Sequence, residues 1–176
     1  MTIIVYGSKY GTSKKYAEEL SNRINAQAVS YTEASDLEKY DTIVYIGAVQ
    51  AGSVLGLKKT FSGFDSDGKK IIIASVSLAD AAHTKYSENI RSGIKKQLPA
   101  NIYQNAKIFF LRGGIFYSSL SFMHKTLLNM LYKKAVSMKE EDKTPDIMAI
   151  IETHGKDIDF SDFSTLAPII DEIQTD

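Results

Sequence analysis

The first two dozen residues constrain this chain more than any other stretch. Thr2-Ile-Ile-Val-Tyr6 is a short β-branched run, Gly7-Ser-Lys-Tyr-Gly-Thr-Ser13 is a loop of glycines and hydroxyl side chains, and Lys14-Lys-Tyr-Ala-Glu-Glu-Leu20 opens an amphipathic helix. A strand that runs through such a loop straight into a helix leaves the first N–H groups of that helix unpaired, at the positive end of its dipole. That end favours an anion, and Ser or Thr hydroxyls beside it add neutral donors, so the segment reads as a phosphate site. The same residues also suit a plain strand-to-helix turn with a good N-cap.

Four apolar runs, Ile3 to Tyr6, Ile43 to Ile46, Ile71 to Val76 and Ile108 to Leu111, carry the strand pattern along the chain. Each is short, rich in β-branched or aromatic residues and apolar at consecutive positions, as strands covered on both faces are. Helical spacing separates them. Tyr16, Ala17, Leu20 and Ile24 recur on one face before a stop at Asn25 to Gln27, and Tyr86 to Leu98 reads as a helix that Pro99 ends. Gln27 to Thr32 is a weaker, partly alternating strand nearer a sheet edge. This alternation predicts an α/β fold, a doubly wound parallel sheet with right-handed crossovers.

At 176 residues one domain, 1–176, can bury a core without disulfides or metal. Lys plus Arg and Asp plus Glu number 21 each, so the formal net charge is zero, which argues against nucleic acid held mainly by phosphate neutralisation. The absence of cysteine excludes disulfides, thiolate metal sites, cysteine nucleophiles and Cys-ligated clusters. The N-terminus opens on Ile-Ile-Val rather than on a basic segment with a long apolar run, and no stretch of about 18 apolar residues occurs. A soluble, cytoplasmic protein is the expectation.

The alternation breaks after Leu111. Arg112-Gly-Gly-Ile-Phe-Tyr-Ser-Ser119 leads into a long helical stretch from about Leu120 to Ser137, with Leu120, Met123, Leu127, Leu128, Leu131 and Tyr132 assigned to one side and His124, Lys125, Lys133 and Lys134 elsewhere. A charged run, Lys139 to Lys143, and a second helix from Pro145 to about Thr153, ended at Gly155, follow. Only Phe160 to Ile173 supplies a final amphipathic helix that completes the α/β pattern, so about 114–159 reads as a helical insertion.

The loop lacks the Gly-Lys-Ser/Thr ending whose lysine reaches the outer phosphates of a nucleoside triphosphate, and it lacks the Gly-x-Gly-x-x-Gly spacing of dinucleotide sites. A cradle for one terminal phosphate remains, which suits a mononucleotide. Tyr6-Gly-Ser-Lys-Tyr-Gly-Thr-Ser13 resembles the phosphate loop of the flavodoxin-like family, Ser/Thr-x-x-Gly-x-Ser/Thr after the first strand. The resemblance implies a flavodoxin-like doubly wound parallel five-stranded sheet with helices on both faces, a helical insertion between the last strand and last helix, and FMN as cofactor. By position Ser8 and Ser13 match the hydroxyl ligands, Gly11 the loop glycine, and Lys9, Tyr10 and Thr12 the backbone donors.

Gly47-Ala-Val-Gln-Ala-Gly-Ser53 matches the family's first flavin-ring loop, with Val49, Gln50, Ala51 and Gly52 where many members carry a large stacking aromatic, and a helix including Leu57 and Phe61 follows. Ser75-Val-Ser-Leu-Ala-Asp80 matches the second, through Ser77, Leu78 and Ala79. The ring face then needs other cover, for which Tyr10, Phe116 and Tyr117 are candidates, although aromatics near a core more often pack. Electron transfer with a redox partner protein or a quinone is the implied activity. The neutral charge departs from the acidic short-chain carriers of the family, so their potential and partner are not carried over.

The segment Gly113 to Tyr117 with Phe122-Met-His-Lys125 is also similar to a subgroup, the quinone-dependent protoporphyrinogen dehydrogenases, although those inserts are usually richer in Arg, Tyr and Trp. Physically, the 120–137 helix can pack on its own domain, which is the default, lie weakly on an anionic membrane surface, or dock a protein. His83 and Asp80 beside the second ring loop suit either an acid-base pair or a solvated turn, and Arg112 suits either flavin charge balance or a structural pair. No catalytic residue is assigned, because in flavin chemistry the cofactor carries the electrons. A flavin-free binding or regulatory domain of the same fold stays open.

Overall fold

The computed structural model describes residues 1–175. β1 (Thr2–Gly7) runs through Ser8–Gly11 into α1 (Thr12–Ile24), which ends where Asn25 turns left-handed at φ 51° and its N–H bonds back to the Ser21 carbonyl. β2 (Gln27–Ser30), β3 (Thr42–Gln50), β4 (Ser53–Val54), α2 (Leu57–Thr60) and β5 (Lys70–Ser77) follow. Next come α3 (Thr84–Gln97), α4 (Ala100–Asn105) and β6 (Lys107–Arg112). β7 (Gly114–Phe116), α5 (Phe122–Val136), α6 (Pro145–Thr153) and β8 (Asp157–Asp159) precede the closing α7 (Ala167–Gln174).

β2, β1, β3, β5 and β6 lie parallel in that order, and the short β4 is antiparallel to β3. Without β4 this is strand order 2-1-3-4-5, the flavodoxin-like order, with the winding reversing between β1 and β3. The consecutive apolar runs are explained by the pleat, since neighbouring residues point to opposite, equally buried faces. Ile3, Val5, Ile43, Tyr45, Ile71 and Ile73 join Leu57, Phe61, Ile90, Ile94 and Ile102 on one face. Ile4, Val44, Ile46, Ile72 and Ala74 join Tyr16, Ala17, Leu20, Leu166 and Ile169 on the other. Truncating any fully buried isoleucine of these layers to alanine costs about 2–5 kcal/mol.

β6 departs from the expectation of a strand covered on both faces. It is the far edge of the sheet, so Ile108, Phe109 and Phe110 are only half-buried and Leu111 alone is fully covered. The helix expected around Leu57 and Phe61 is a single turn, and the last helical segment begins as a tighter turn at Phe163–Leu166 before α7.

The excursion after β6 is closed by a feature the periodicity did not announce. β7 and β8 pair antiparallel, Gly114 with Asp159, Ile115 with Ile158 and Phe116 with Asp157, so both ends of the insertion leave the sheet at one place. Between them α5 packs along α6. Ala135 is buried, and Leu128 and Tyr132 are half-buried on the inward side of α5. The side assigned from sequence is therefore split. Met123 is 73% exposed and Met130 59%, with Leu127 and Leu131 also open, so an apolar stripe faces outward. Phe122, at 86%, is the most exposed large apolar residue. Among the described residues no helix is long and apolar enough to cross a membrane.

Candidate functional site at the carboxyl edge of the sheet

Strand register makes the site. Gly7 pairs with Gly47 and Gly47 with Ser75, while Ala48 pairs with Val76 and Val76 with Leu111. The strands therefore end nearly level, and the connections after β1, β3, β5 and β6 open on one carboxyl edge at the reversal of winding, where ligands bind in open α/β sheets.

The loop after β1 is tight. Gly11 takes φ 97°, a left-handed conformation that a Cβ disfavours, and its N–H donates to Ser8 Oγ at 3.1 Å. The Ser8 hydroxyl thus braces the loop. No side chain caps α1, whose first backbone bond runs from Lys15 N–H to the Gly11 carbonyl at 2.9 Å. The N–H groups at the start of α1 are left at the positive pole of a 13-residue helix. Thr12 is buried and Ser13 is 1% exposed, and among the described residues the Ser13 hydroxyl has no hydrogen-bond partner. A buried, unsatisfied hydroxyl costs about 1–3 kcal/mol, so this one is free to meet an acceptor from outside the chain. Lys9 is exposed, and Ser8, Tyr10 and Gly11 are half-buried.

The segment matched to the first ring loop is a β-hairpin. β3 runs on to Gln50, Val49 pairs with Val54 and Gln50 with Ser53, and the turn is made by Ala51 at φ 47° and Gly52 at φ 77°. Two positive φ values are what a type I′ turn requires. The turn leans on α3 so closely that a Cβ on Gly93 would stand 1.9 Å from the Gly52 carbonyl oxygen. Val49 is half-buried against the core, while Gln50, Ala51 and Gly52 are exposed.

At the second ring loop Ser77 and Ala79 are buried and Leu78 is half-buried, with Ser77 Oγ donating to the Ala79 carbonyl at 2.9 Å. Burial pushes the phenol of Tyr86, on α3, above the usual tyrosine range. Asp80 makes a turn, accepting from Ala82 N–H at 2.9 Å, and His83 is exposed, so neither forms the acid-base pair that their proximity in sequence allows.

The insertion borders this edge. Leu78 lines a small void with Ile115, Tyr117, Leu128, Ile150 and His154. Lys15 forms an ion pair with Asp159 at 3.0 Å and its ammonium lies 4.9 Å from the centre of the Phe116 ring. Of the aromatics considered for covering a ring, Phe116 is thus engaged by Lys15, and Tyr117 lies edge-on to His154 at 5.5 Å. The Arg112 guanidinium stacks on Phe160 at 3.8 Å with its buried Nε unpartnered.

Three residues to which pattern reading gave no role at the site lie against it: His124, which meets Tyr10 and lies with its Nε2 3.1 Å from Lys9 Nζ; Asp159, paired with Lys15; and Phe160, under the Arg112 guanidinium. His124 is more than a hundred positions from its partners, so no spacing announces the contact. Among the described residues no group of three or more His, Asp or Glu side chains could hold a metal ion.

Comparison with solved structures finds only distant likeness. A flavoprotein in complex with FMN from Lactobacillus acidophilus is 15% identical, with a TM-score of 0.43 over 63% of this chain and 91% of that one. A flavodoxin variant from Fusobacterium nucleatum bound to flavin mononucleotide is 12% identical, with a TM-score of 0.39 over 69% and 73%. The Trp repressor binding protein of Bacillus subtilis, also 12% identical, gives 0.41 over 64% and 83%. No curated protein matches. The family model described as a flavodoxin domain matches residues 3–144, from β1 through α5 of the insertion. With that match over most of its length, and with the strand order described above, the chain belongs to the flavodoxin domain family.

Proposed function

We propose that the chain binds FMN at this carboxyl edge and serves electron transfer with a redox partner protein or a quinone. One observation carries the reading: the buried Ser13 hydroxyl without a partner, in the first turn of an uncapped helix directly after Ser8–Gly11. A phosphate monoester accepts from hydroxyl and backbone N–H donors of this kind, and the helix dipole offsets its charge. Ser8 would hold the loop closed around it through Gly11, and Ser13 and the first N–H groups of α1 would donate.

FMN, when bound, supplies the reversible electron uptake. The chain's part is to orient the ring and limit water. The hairpin Val49–Gly52 and the buried Ser77 and Ala79 would flank it, and Leu78 with the insertion behind it would close one side. The test is direct: the purified protein is yellow, or takes up added FMN, and releases FMN on denaturation. A colourless protein that fails to take up FMN overturns the reading and favours a flavin-free domain of this fold.

A second reading is a quinone-linked dehydrogenase for a porphyrinogen-like substrate. It rests on the resemblance of Gly113 to Tyr117 and Phe122 to Lys125 given above; the void that Ile115, Leu128 and Ile150 line with Leu78 is too small for such a substrate. Quinone-dependent oxidation of protoporphyrinogen separates it from a simple carrier.

The outward stripe of α5 supports a weak contact with an anionic lipid surface. Residues 113–139 contain four lysines and no Asp or Glu, while Met123, Leu127, Met130 and Leu131 stand exposed on a convex helix. Lys125 is committed to the Ser118 carbonyl at 3.1 Å, which leaves Lys133 and Lys134 as the exposed cations of α5.

A further inference from the structure

We propose that His124, carried by the insertion, is a positioning residue for the phosphate loop, holding Lys9 and Tyr10 so that the loop stands preformed for a phosphate. The inference rests on the FMN reading and deepens it, because it makes a segment outside the sheet a determinant of affinity for the phosphate group.

The imidazole is held from its own side first. Ser121 is the N-cap of α5, accepting from His124 N–H at 3.3 Å, and its Oγ lies 2.9 Å from His124 Nδ1. The ring then meets the loop at two points. Nε2 lies 3.1 Å from Lys9 Nζ, and Nδ1 is hydrogen-bonded with Tyr10 OH. The Tyr10 and His124 rings stand edge to face, 5.7 Å apart at 88°.

Donor chemistry fixes the roles. An ammonium only donates, so Nε2 accepts from Lys9 and the ring proton resides on Nδ1, shared between Tyr10 and Ser121. Both ring nitrogens are then used. Around it stand the Lys9 ammonium and the Tyr10 phenol from the loop and the Ser121 hydroxyl from its own helix.

The consequence lies in the backbone between the anchors. Lys9 and Tyr10 occupy the positions between Ser8 and Gly11, whose mutual hydrogen bond closes the loop. Lys9 is exposed, with its ammonium 6.0 Å from the centre of the Tyr10 ring. Pinning both side chains from α5 removes loop freedom before the phosphate arrives, and such preorganisation raises affinity without adding a contact to the ligand. Lys15 with Asp159 ties the same insertion to α1, so the clamp holds the loop and the helix behind it.

The experiment titrates the full chain, freed of flavin, with FMN and with riboflavin, which has the same ring and no phosphate. His124→Ala is expected to weaken FMN about tenfold and leave riboflavin unchanged, with hydrogen exchange in residues 8–13 faster and the melting temperature kept. His124→Gln, which retains an acceptor for Lys9, is expected to recover part of the loss. Tyr10→Phe, which keeps the ring, is expected to be non-additive with His124→Ala. Equal weakening of FMN and riboflavin, no weakening of either, or simple additivity overturns the proposal. If the unaltered chain binds riboflavin as tightly as FMN, or neither, the FMN reading fails and this inference falls with it. Tight FMN binding that His124→Ala leaves unchanged overturns this inference alone.

Discussion

Lys15 and Asp159 lie 144 positions apart in sequence and 3.0 Å apart in space, joining the helix behind the phosphate loop to the last strand of the insertion. Lys15 also caps the Phe116 ring from the other strand of the ribbon. Both charges are partly solvated, so Lys15→Ala is expected to cost under about 1 kcal/mol of global stability. Its effect is local: hydrogen exchange in β7 and β8 should accelerate while the sheet core is unchanged. A cooperative loss of the whole fold would contradict that assignment.

Acid should loosen the same ribbon. Hydrogen bonds from the Ser118 side chain and backbone hold the Asp157 carboxyl below the usual aspartate range. At Asp159 burial acts the other way, but bonds from Ser161 and Lys15 prevail and lower it as well. A depressed carboxylate contributes its stabilisation fully above its unfolded value, about 3.9, and loses it as pH falls through the lower folded value. Protection of residues 114–116 and 157–159, corrected for the intrinsic exchange rate at each pH, should therefore be high near neutrality and fall below about pH 4, ahead of the sheet. A ribbon as protected at about pH 3 as at pH 7 would refute this.

Ser13→Ala should act oppositely on stability and on binding. Removing a buried hydroxyl that has no partner relieves its desolvation cost, so the flavin-free chain gains up to about 1 kcal/mol. FMN affinity falls about tenfold, as expected for one hydrogen bond to a charged group. Thermal melting and flavin titration read the two effects. A destabilised chain with unchanged affinity would mean that Ser13 serves packing.

Gly93→Ala tests whether α3 sets the ring-side hairpin. The added Cβ would meet the Gly52 carbonyl oxygen at 1.9 Å, and backbone on both sides cannot yield cheaply. A loss of about 1–3 kcal/mol is expected, with the turn at Ala51 and Gly52 displaced. Chemical shifts of residues 49–54 would report it, and shifts confined to α3 would contradict it.

The sheet was legible because Ile43 to Ile46 is apolar throughout and Ile71 to Val76 is broken only by the small Ser75, in runs short and β-branched enough for a strand buried on both faces. The loop Gly7 to Gly11 between β1 and α1 was legible because a strand, a Gly-hydroxyl turn and a helix follow one another locally. The ring-side hairpin was not, since Ala51-Gly52 is a weak form of the usual Asn-Gly turn signal and β4 is two residues long. β7 and β8, three residues each, are too short for any period to register. On α5 the inward stripe of Leu128, Tyr132 and Ala135 and the outward stripe of Met123, Leu127, Met130 and Leu131 merge in a periodicity reading. Only the packing of α6 shows which is covered.

The outward stripe yields its own prediction. Co-sedimentation with vesicles containing anionic lipid is expected, absent with neutral vesicles and lost on joint Lys133→Glu and Lys134→Glu. Equal binding to neutral vesicles, or self-association through the stripe in solution, would contradict a lipid contact.

A fluorescence titration of the flavin-free chain with FMN and with riboflavin measures what the loop Ser8–Ser13 recognises. The prediction is saturable one-to-one binding of FMN, at least tenfold tighter than riboflavin, a difference of about 1.4 kcal/mol or more. Riboflavin bound as tightly as FMN, or no binding of either, would contradict it.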